Sequence, residues 1–164
     1  MHKIAKVAFD DIHEVKELLN KTWSDTYQDI YPSTVTEMAR TVWHHPDLLL
    51  EQSKNPYSYF AVAKDESNKI IGLITLHIDK EGEIFLTRLF VDPTFQRKGI
   101  GEALFLSGIE TFSEAKKVTV EVDEKNIKGF NFYKKHGFKE VSRKEEEIAK
   151  HKANIITLQK TFNT

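Results

Sequence analysis

The sequence predicts an α/β fold of the α+β kind. It would be a mixed, mostly antiparallel sheet with helices on both faces, in the order β-αα-βββ-α-β-α-ββ. Three observations carry this. The strand runs Ser58 to Lys64 and Lys69 to Asp79 are joined by the turn formers Asp65-Glu-Ser-Asn68, and a second turn, Lys80-Glu-Gly-Glu83, leads into Ile84 to Val91. A helical stretch then separates Val91 from the strand Lys117 to Val122, which makes a β-α-β crossover with parallel strands. A closing pair of strands, Phe138 to Glu147 and Asn154 to Phe162, completes the sheet as a hairpin.

Taken in order, Lys3 to Phe9 alternates around Ile4 and Val7 and is a first strand. Asp10 or Asp11 caps the helix that follows, whose apolar positions Ile12, Val15, Leu18, Leu19 and Trp23 have helical spacing. The segment from Thr22 to Pro32 is aromatic and acidic. Ser33 or Thr34 opens a second helix, which Pro46 ends or kinks, and a short third helix covers Asp47 to Ser53. After the three central strands comes a helix with the apolar stripe Ile100, Leu104, Ile109 and Phe112. Asn126 to His136 forms the last helix, with Gly137 at its C-terminal cap. No repeat, linker or low-complexity tract interrupts the pattern, so residues 1–164 are expected to form a single domain.

Composition narrows the function classes. The chain has 164 residues, 40% apolar and 30% charged, which suits one globular domain with an adequate core. A net charge of −1 supplies no global basic field, so nucleic acid is not an expected partner. No apolar run approaches the roughly 20 residues of a transmembrane helix, so no membrane partner is expected either. Without cysteine there is no disulfide, thiolate nucleophile or cysteine metal site. His44 and His45 are adjacent and do not face one another on a helix; they are expected at the surface or lip of a site, and no metal is expected. The N-terminus lacks a signal-peptide core, which points to the cytoplasm.

The most informative stretch joins the strand at Val91 to the following helix through Gln96-Arg-Lys-Gly99-Ile-Gly101. A helix start leaves backbone N–H groups unpartnered, with partial positive charge. Two glycines allow a sharp turn and close approach of an anion, and Arg97 and Lys98 add full charges. No Gly-Lys-Ser/Thr follows and no third glycine completes a dinucleotide fingerprint, which weakens a nucleotide-binding module.

A second motif runs Asn126-Ile-Lys-Gly-Phe-Asn131-Phe-Tyr133-Lys-Lys-His-Gly137-Phe138 after the strand Lys117 to Val122. Together the two resemble the GNAT superfamily of acyl-CoA-dependent N-acyltransferases. Its glycine motif, Gln/Arg-x-x-Gly-x-Gly/Ala, is matched in full. Its later motif, Asn-x-x-Ala-x-x-Phe-Tyr-x-x-x-Gly-Phe, is matched except that Gly129 stands for Ala. The motif-bearing stretch, Ile84 to Phe138, spans a third of the chain, and the element order fits a GNAT-like fold.

The resemblance implies an N-acetyltransferase that passes an acetyl group from acetyl-CoA to a primary amine by direct attack in a ternary complex. It implies that the strand at Leu89, Phe90 and Val91 splays from Lys117 to Val122 and pairs with pantetheine. An amide of Leu89 or Phe90 would then stabilise the oxyanion. The pyrophosphate would lie on the amides of Arg97, Lys98, Gly99, Ile100, Gly101 and Glu102, within the motif opened by Gln96. Tyr133 would protonate or stabilise the leaving thiolate; the alternative is a core tyrosine beside Phe132 and Phe138. Asn126 would bind pantetheine or cap the helix, and Asn131 faces either cofactor or solvent. Glu83, Glu121, His77 or a water chain could act as base. The acceptor site would be formed largely by the last hairpin, the first two helices and their connection. There Trp23, Asp25, Tyr27, Asp29 and Tyr31 suit an aliphatic cation: a small amine such as a polyamine, or a peptide N-terminus. Packed aromatics with solvated aspartates are the bland alternative. A non-catalytic acyl-CoA-binding sensor is the rival function, and either a monomer or a homodimer is compatible.

Overall fold

The computed structural model describes residues 2–162. Seven strands form one sheet in the order β1-β2-β3-β4-β5-β7-β6, with β1 Lys3–Lys6, β2 Ser58–Lys64, β3 Ile70–Ile78, β4 Glu83–Val91, β5 Lys117–Asp123, β6 Lys139–Ile148 and β7 His151–Thr161. Every neighbouring pair is antiparallel except β4 with β5. The parallel pair is the one bridged by a helix, as a crossover requires.

The strands alternate, and the alternation makes two cores. In β2, Tyr59, Ala61 and Ala63 face one side, where helices α4 (Ile100–Thr111) and α5 (Ile127–Lys135) pack. Phe60 and Val62 face the other side, against Val15 and Leu19 of α1 (Ile12–Tyr27) and Leu49 of α3 (Pro46–Lys54). Helix α4 presses closest at Gly108, where an added Cβ would lie 2.3 Å from Leu76 Cδ1. A third, aromatic cluster of Trp23, Val35 and Ala39 joins α1 to α2 (Ser33–Met38). No helix among the described residues is long and apolar enough to cross a membrane.

Several element ends differ from expectation for local reasons. β1 stops at Lys6, because Phe9–Asp11 turns into a 3-10 helix and Asp11 Oδ2 accepts from the Ala8 amide at 2.9 Å. A π-helical turn, Ala39–Trp43, extends α2, and Pro46 opens α3 at its first turn, where its missing N–H costs nothing. The last hairpin has a two-residue loop, Ala149 and Lys150, both at positive φ (48° and 65°). That geometry matches strand twist but usually carries Gly or Asn, so β7 begins earlier than its sequence signals.

Two irregularities in β4 shape the site. The β3–β4 register slips between Thr75 and Leu76, leaving Thr87 as a bulge whose Oγ1 donates to the Thr75 carbonyl at 3.2 Å. The β4–β5 ladder runs only from Glu83 with Lys117 to Leu86 with Val120. Beyond it β4 pairs with β3 alone.

Candidate active site

The gap between β4 and β5 opens into a cleft with a cavity volume of about 860 Å³. Leu89, Phe90 and Val91 line it along the freed edge of β4, and Val120 and Val122 of β5 line the facing side. A free strand edge offers N–H and C=O groups in extended spacing, which is what an amide-containing chain such as pantetheine can pair with.

At one end lies the loop before α4. Arg97 and Gly99 both take positive φ (65° and 78°), curling the backbone. Gly99 is the N-cap of α4 and supplies no side-chain cap. The amides that open the helix therefore have no acceptor of their own, while Ala103 N reaches Gly99 O at 3.0 Å. Gln96, Arg97, Gly99, Ile100, Gly101 and Glu102 all line the cleft. Lys98 does not; its ammonium lies 5.4 Å from the Phe95 ring and borders a separate, smaller cavity. Gln96 Nε2 donates to the Val91 carbonyl at 3.1 Å, and its Oε1 accepts from Lys128, tying the loop to α5. The loop rests on Asp92, which is buried. Asp92 Oδ1 accepts from the Thr94 amide (3.0 Å) and hydroxyl (2.9 Å), and its Oδ2 pairs with Lys21 at 3.0 Å. Burial alone would raise the Asp92 carboxyl, but the Thr94 and Lys21 contacts outweigh it and hold it below the ordinary value.

Tyr133 of α5 lines the cleft between the parted strands. It is buried and packs 5.3 Å from the Phe132 ring and 5.2 Å from Phe138. Its hydroxyl has no hydrogen-bond partner among the described residues. Burial, with Tyr27 nearby, pushes the phenol above its ordinary pKa, so it stays protonated. The ring is core, beside Phe132 and Phe138 as the alternative reading had it, and the residue also lines the cleft. Asn126 also lines it, and its Oδ1 accepts from the Gly129 amide at 3.0 Å, so it caps α5. An added Cβ at Gly129 would come within 2.7 Å of Asn126 Nδ2, so alanine there would require the Asn126 side chain to shift. Asn131 is exposed and lies outside the cleft lining.

The α1 residues separate on inspection. Tyr27 lines the cleft, beside Thr22, Asp25 and Thr26. Trp23 is buried behind it, its ring 4.8 Å from Tyr27 and 5.8 Å from Tyr31. Tyr31 donates to Asp123 Oδ2 at 2.8 Å and does not line the cleft, and Asp29 is exposed away from it. Helical spacing puts Trp23 and Tyr27 on one face, but only the residue at the helix end meets the opening.

Of the three candidate bases, Glu121 alone lines the cleft; it is exposed and pairs with Lys144 Nζ at 2.7 Å. Glu83 sits at the closed end of the ladder, accepting from Thr119 Oγ1 at 2.6 Å. His77 is held by Ser58 Oγ, and burial followed by the charge of Arg88 keeps it below its ordinary pKa. His44 is not a lip residue. It is buried, and its Nδ1 donates to Asn20 Oδ1 at 2.9 Å. His45 is exposed and its Nδ1 accepts from the Asp47 amide, capping α3. No group of three potential metal ligands occurs among the described residues.

Sequence reasoning passed over Arg88. It lines the cleft, half-buried, at the point where the bulge at Thr87 upsets the in-out alternation.

A sheet parted at one parallel pair, with a glycine loop at one end and a phenol at the parting, defines an acyl-CoA-dependent transferase. The model of the acetyltransferase (GNAT) family matches residues 12–138, and the chain belongs to that family. It is an acetyl-CoA-dependent N-acetyltransferase acting on an amine. The spermidine N(1)-acetyltransferase of Thermoplasma acidophilum is 29% identical over 144 residues, covering 84% of this chain and 88% of that one. The spermine/spermidine N(1)-acetyltransferase of Bacillus subtilis is 25% identical over 99 residues, covering 54% and 65%. Among solved structures, the PaiA N-acetyltransferase of Thermoplasma acidophilum in complex with coenzyme A superposes with a TM-score of 0.85 at 24% identity, covering 99% of both chains.

Proposed function

We propose that this enzyme acetylates a primary amine, that of a small amine such as a polyamine or of a peptide N-terminus, by direct attack on acetyl-CoA in a ternary complex, with no covalent enzyme intermediate. The polyamines acetylated by its named relatives and amines at a peptide N-terminus both belong to that acceptor class. The observation that carries the reading is the freed edge of β4 ending beside Tyr133.

Pyrophosphate rests on the uncapped amides at Gly99 to Glu102, and pantetheine runs along Leu89 to Val91. The thioester then lies where β4 and β5 part. The neutral amine attacks the carbonyl carbon, and a β4 amide at Leu89 or Phe90 faces the developing oxyanion. One such donor is worth about 3 kcal/mol of barrier. As the carbon–sulfur bond breaks, the Tyr133 hydroxyl supplies a proton to the thiolate, and the amine gives its proton to water or to Glu121. Tyr27 and Asp25 form the wall that receives the acceptor. The proposal includes one catalytic domain over residues 1–164, working in the cytoplasm as a monomer or homodimer.

The test is thiol release from acetyl-CoA across a panel of polyamines, amino acids and peptides with free N-termini. Release with at least one of these small amines is expected. Tight acetyl-CoA binding with no release from any amine would favour a non-catalytic sensor.

A further inference from the structure

Arg88 is a half-buried cation without a carboxylate. Its Nη1 donates to Gln52 Oε1 at 2.5 Å and its Nη2 to the Trp43 carbonyl at 3.0 Å, and the guanidinium lies 5.8 Å from the centre of the Phe60 ring. These contacts hold it between α3, the π-helical turn and β2. Among the described residues no Asp or Glu lies within ion-pair distance of it. The titratable groups that feel its charge are His44 and His77, and Lys16 acts on His44 alongside it. Lys16 Nζ on α1 donates to the carbonyls of Arg40 and His44. His44 is kept neutral by burial and then by Arg88 and Lys16, and His77 on β3 by burial and then by Arg88. Burial also draws the guanidinium itself down to about 10.

An arginine carries five N–H donors, and the hydrogen bonds here engage two of its nitrogens once each. A desolvated guanidinium lacking a counter-charge is costly, and the cost is relieved by a carboxylate that accepts from its fork in bidentate fashion. The carboxylates that do border the cleft, Asp25, Glu102 and Glu121, are exposed at its rim. They share that rim with the exposed cations Arg97, Lys128 and Lys135, so it carries both signs, whereas Arg88 is half-buried. A polycation would bring further positive charge to Arg88.

We propose that Arg88 receives a carboxylate of the acceptor, so that the amine acetylated here is that of an amino acid or a similar aminocarboxylate. This rests on the amine-acetylation reading and narrows its acceptor. Of the aromatic and acidic residues from Trp23 to Tyr31 that suit a cation, only Tyr27 and Asp25 reach the cleft, which leaves a polyamine with few partners inside.

The experiment compares matched triplets: phenylalanine, phenylalaninamide and phenethylamine; lysine, lysinamide and cadaverine. Spermidine is run alongside. The values of kcat/KM at saturating acetyl-CoA are measured for the wild type, Arg88→Gln and Arg88→Lys. In the wild type the acid should exceed its amide by about tenfold or more, the size expected for a charge-assisted pair. Arg88→Gln should bring the ratio near unity, and Arg88→Lys should leave an intermediate ratio, since it keeps the charge without the fork. An amide or decarboxylated amine that matches the acid in the wild type overturns the proposal. So does an Arg88→Gln variant that slows acid and amide by the same factor, because that is the effect of a purely structural tie. If Arg88→Gln fails to fold, the wild-type ratios still decide. Preference for spermidine would overturn the carboxylate assignment and leave amine acetylation standing. Thiol release from no amine at all would overturn both.

Discussion

Leu86 faces Val120 across the last rung of the parallel ladder between β4 and β5, and beyond this pair the two strands share no backbone pairing. The rung sets where the cleft closes. In the proposed binding mode it also sets where the thioester stops, because the next residues of β4 have a free edge and the previous ones do not. Tyr133 lines the cleft from α5, with a hydroxyl that has no hydrogen-bond partner among the described residues. Removing that hydroxyl while keeping the ring isolates its chemistry from its packing. Tyr133→Phe should lower kcat by about a hundredfold, the usual size for one general acid, with coenzyme A affinity unchanged. Calorimetric titration with coenzyme A beside steady-state kinetics checks both halves. Undiminished kcat would remove Tyr133 from the mechanism.

The far end of the cleft should depend on the bare backbone at the start of α4. An added Cβ at Gly101 would make only ordinary contacts, at 3.6 Å from Phe132 and 3.8 Å from Val91. Bulk alone is therefore tolerated by the protein, and Gly101→Ala should fold normally. Gly101→Asp places a carboxylate where the pyrophosphate is proposed to lie. Like charges so close cost several kcal/mol, so coenzyme A affinity should fall by about a hundredfold or more. Unchanged affinity for coenzyme A would relocate the pyrophosphate.

How much of this was legible in the residues follows from which features are local. The glycine loop announces itself because Gly99 must hold a positive φ, a demand that few other side chains meet. The alternation of β2 shows because period-two burial on two faces leaves a nearly continuous apolar run. Tyr133 is visible only through its motif. Arg88 is hidden, because a one-residue bulge at Thr87 reverses the face on which each later residue of β4 lies. Trp23 and Tyr27 share a helix face, and sequence spacing cannot say which stands at the opening. His44 hides for a similar reason: a π-helical turn at Ala39–Trp43 precedes it and breaks the helical spacing by which a buried face would be read.

His44 has a consequence for stability against pH. Burial, with Arg88 and Lys16 nearby, lowers its pKa from 6.5 to about 4 in the folded chain. The unfolded chain takes up a proton near the ordinary value, and the folded chain resists it. The contribution is therefore fully present above about pH 6.5 and is lost as pH falls towards 4, at about 1.4 kcal/mol per pH unit in that window. His44→Gln should flatten that slope while retaining a polar partner for Asn20. Urea unfolding midpoints measured from pH 7 to 4.5 for both proteins make the comparison. A wild-type slope equal to that of His44→Gln would mean that the imidazole titrates normally in the fold.

Gly108 shows what the packing of α4 demands. The residue has ordinary helical backbone, so conformational freedom does not explain it. Close approach does, because a methyl there would meet Leu76 Cδ1 at 2.3 Å, and Leu76 is fully enclosed. Alanine has the better helix propensity by about 1 kcal/mol, which favours the substitution. Overpacking of an enclosed core costs typically about 1–3 kcal/mol, which opposes it. The clash is severe and the neighbour has little room to turn, so the packing term should win and Gly108→Ala should destabilise. Leu76→Ala in the same background removes the obstructing carbon. If packing is the cause, the double variant will lose less than the sum of the two single losses in a double-mutant cycle. Simple additivity would show that the helix tolerates the methyl by shifting as a body.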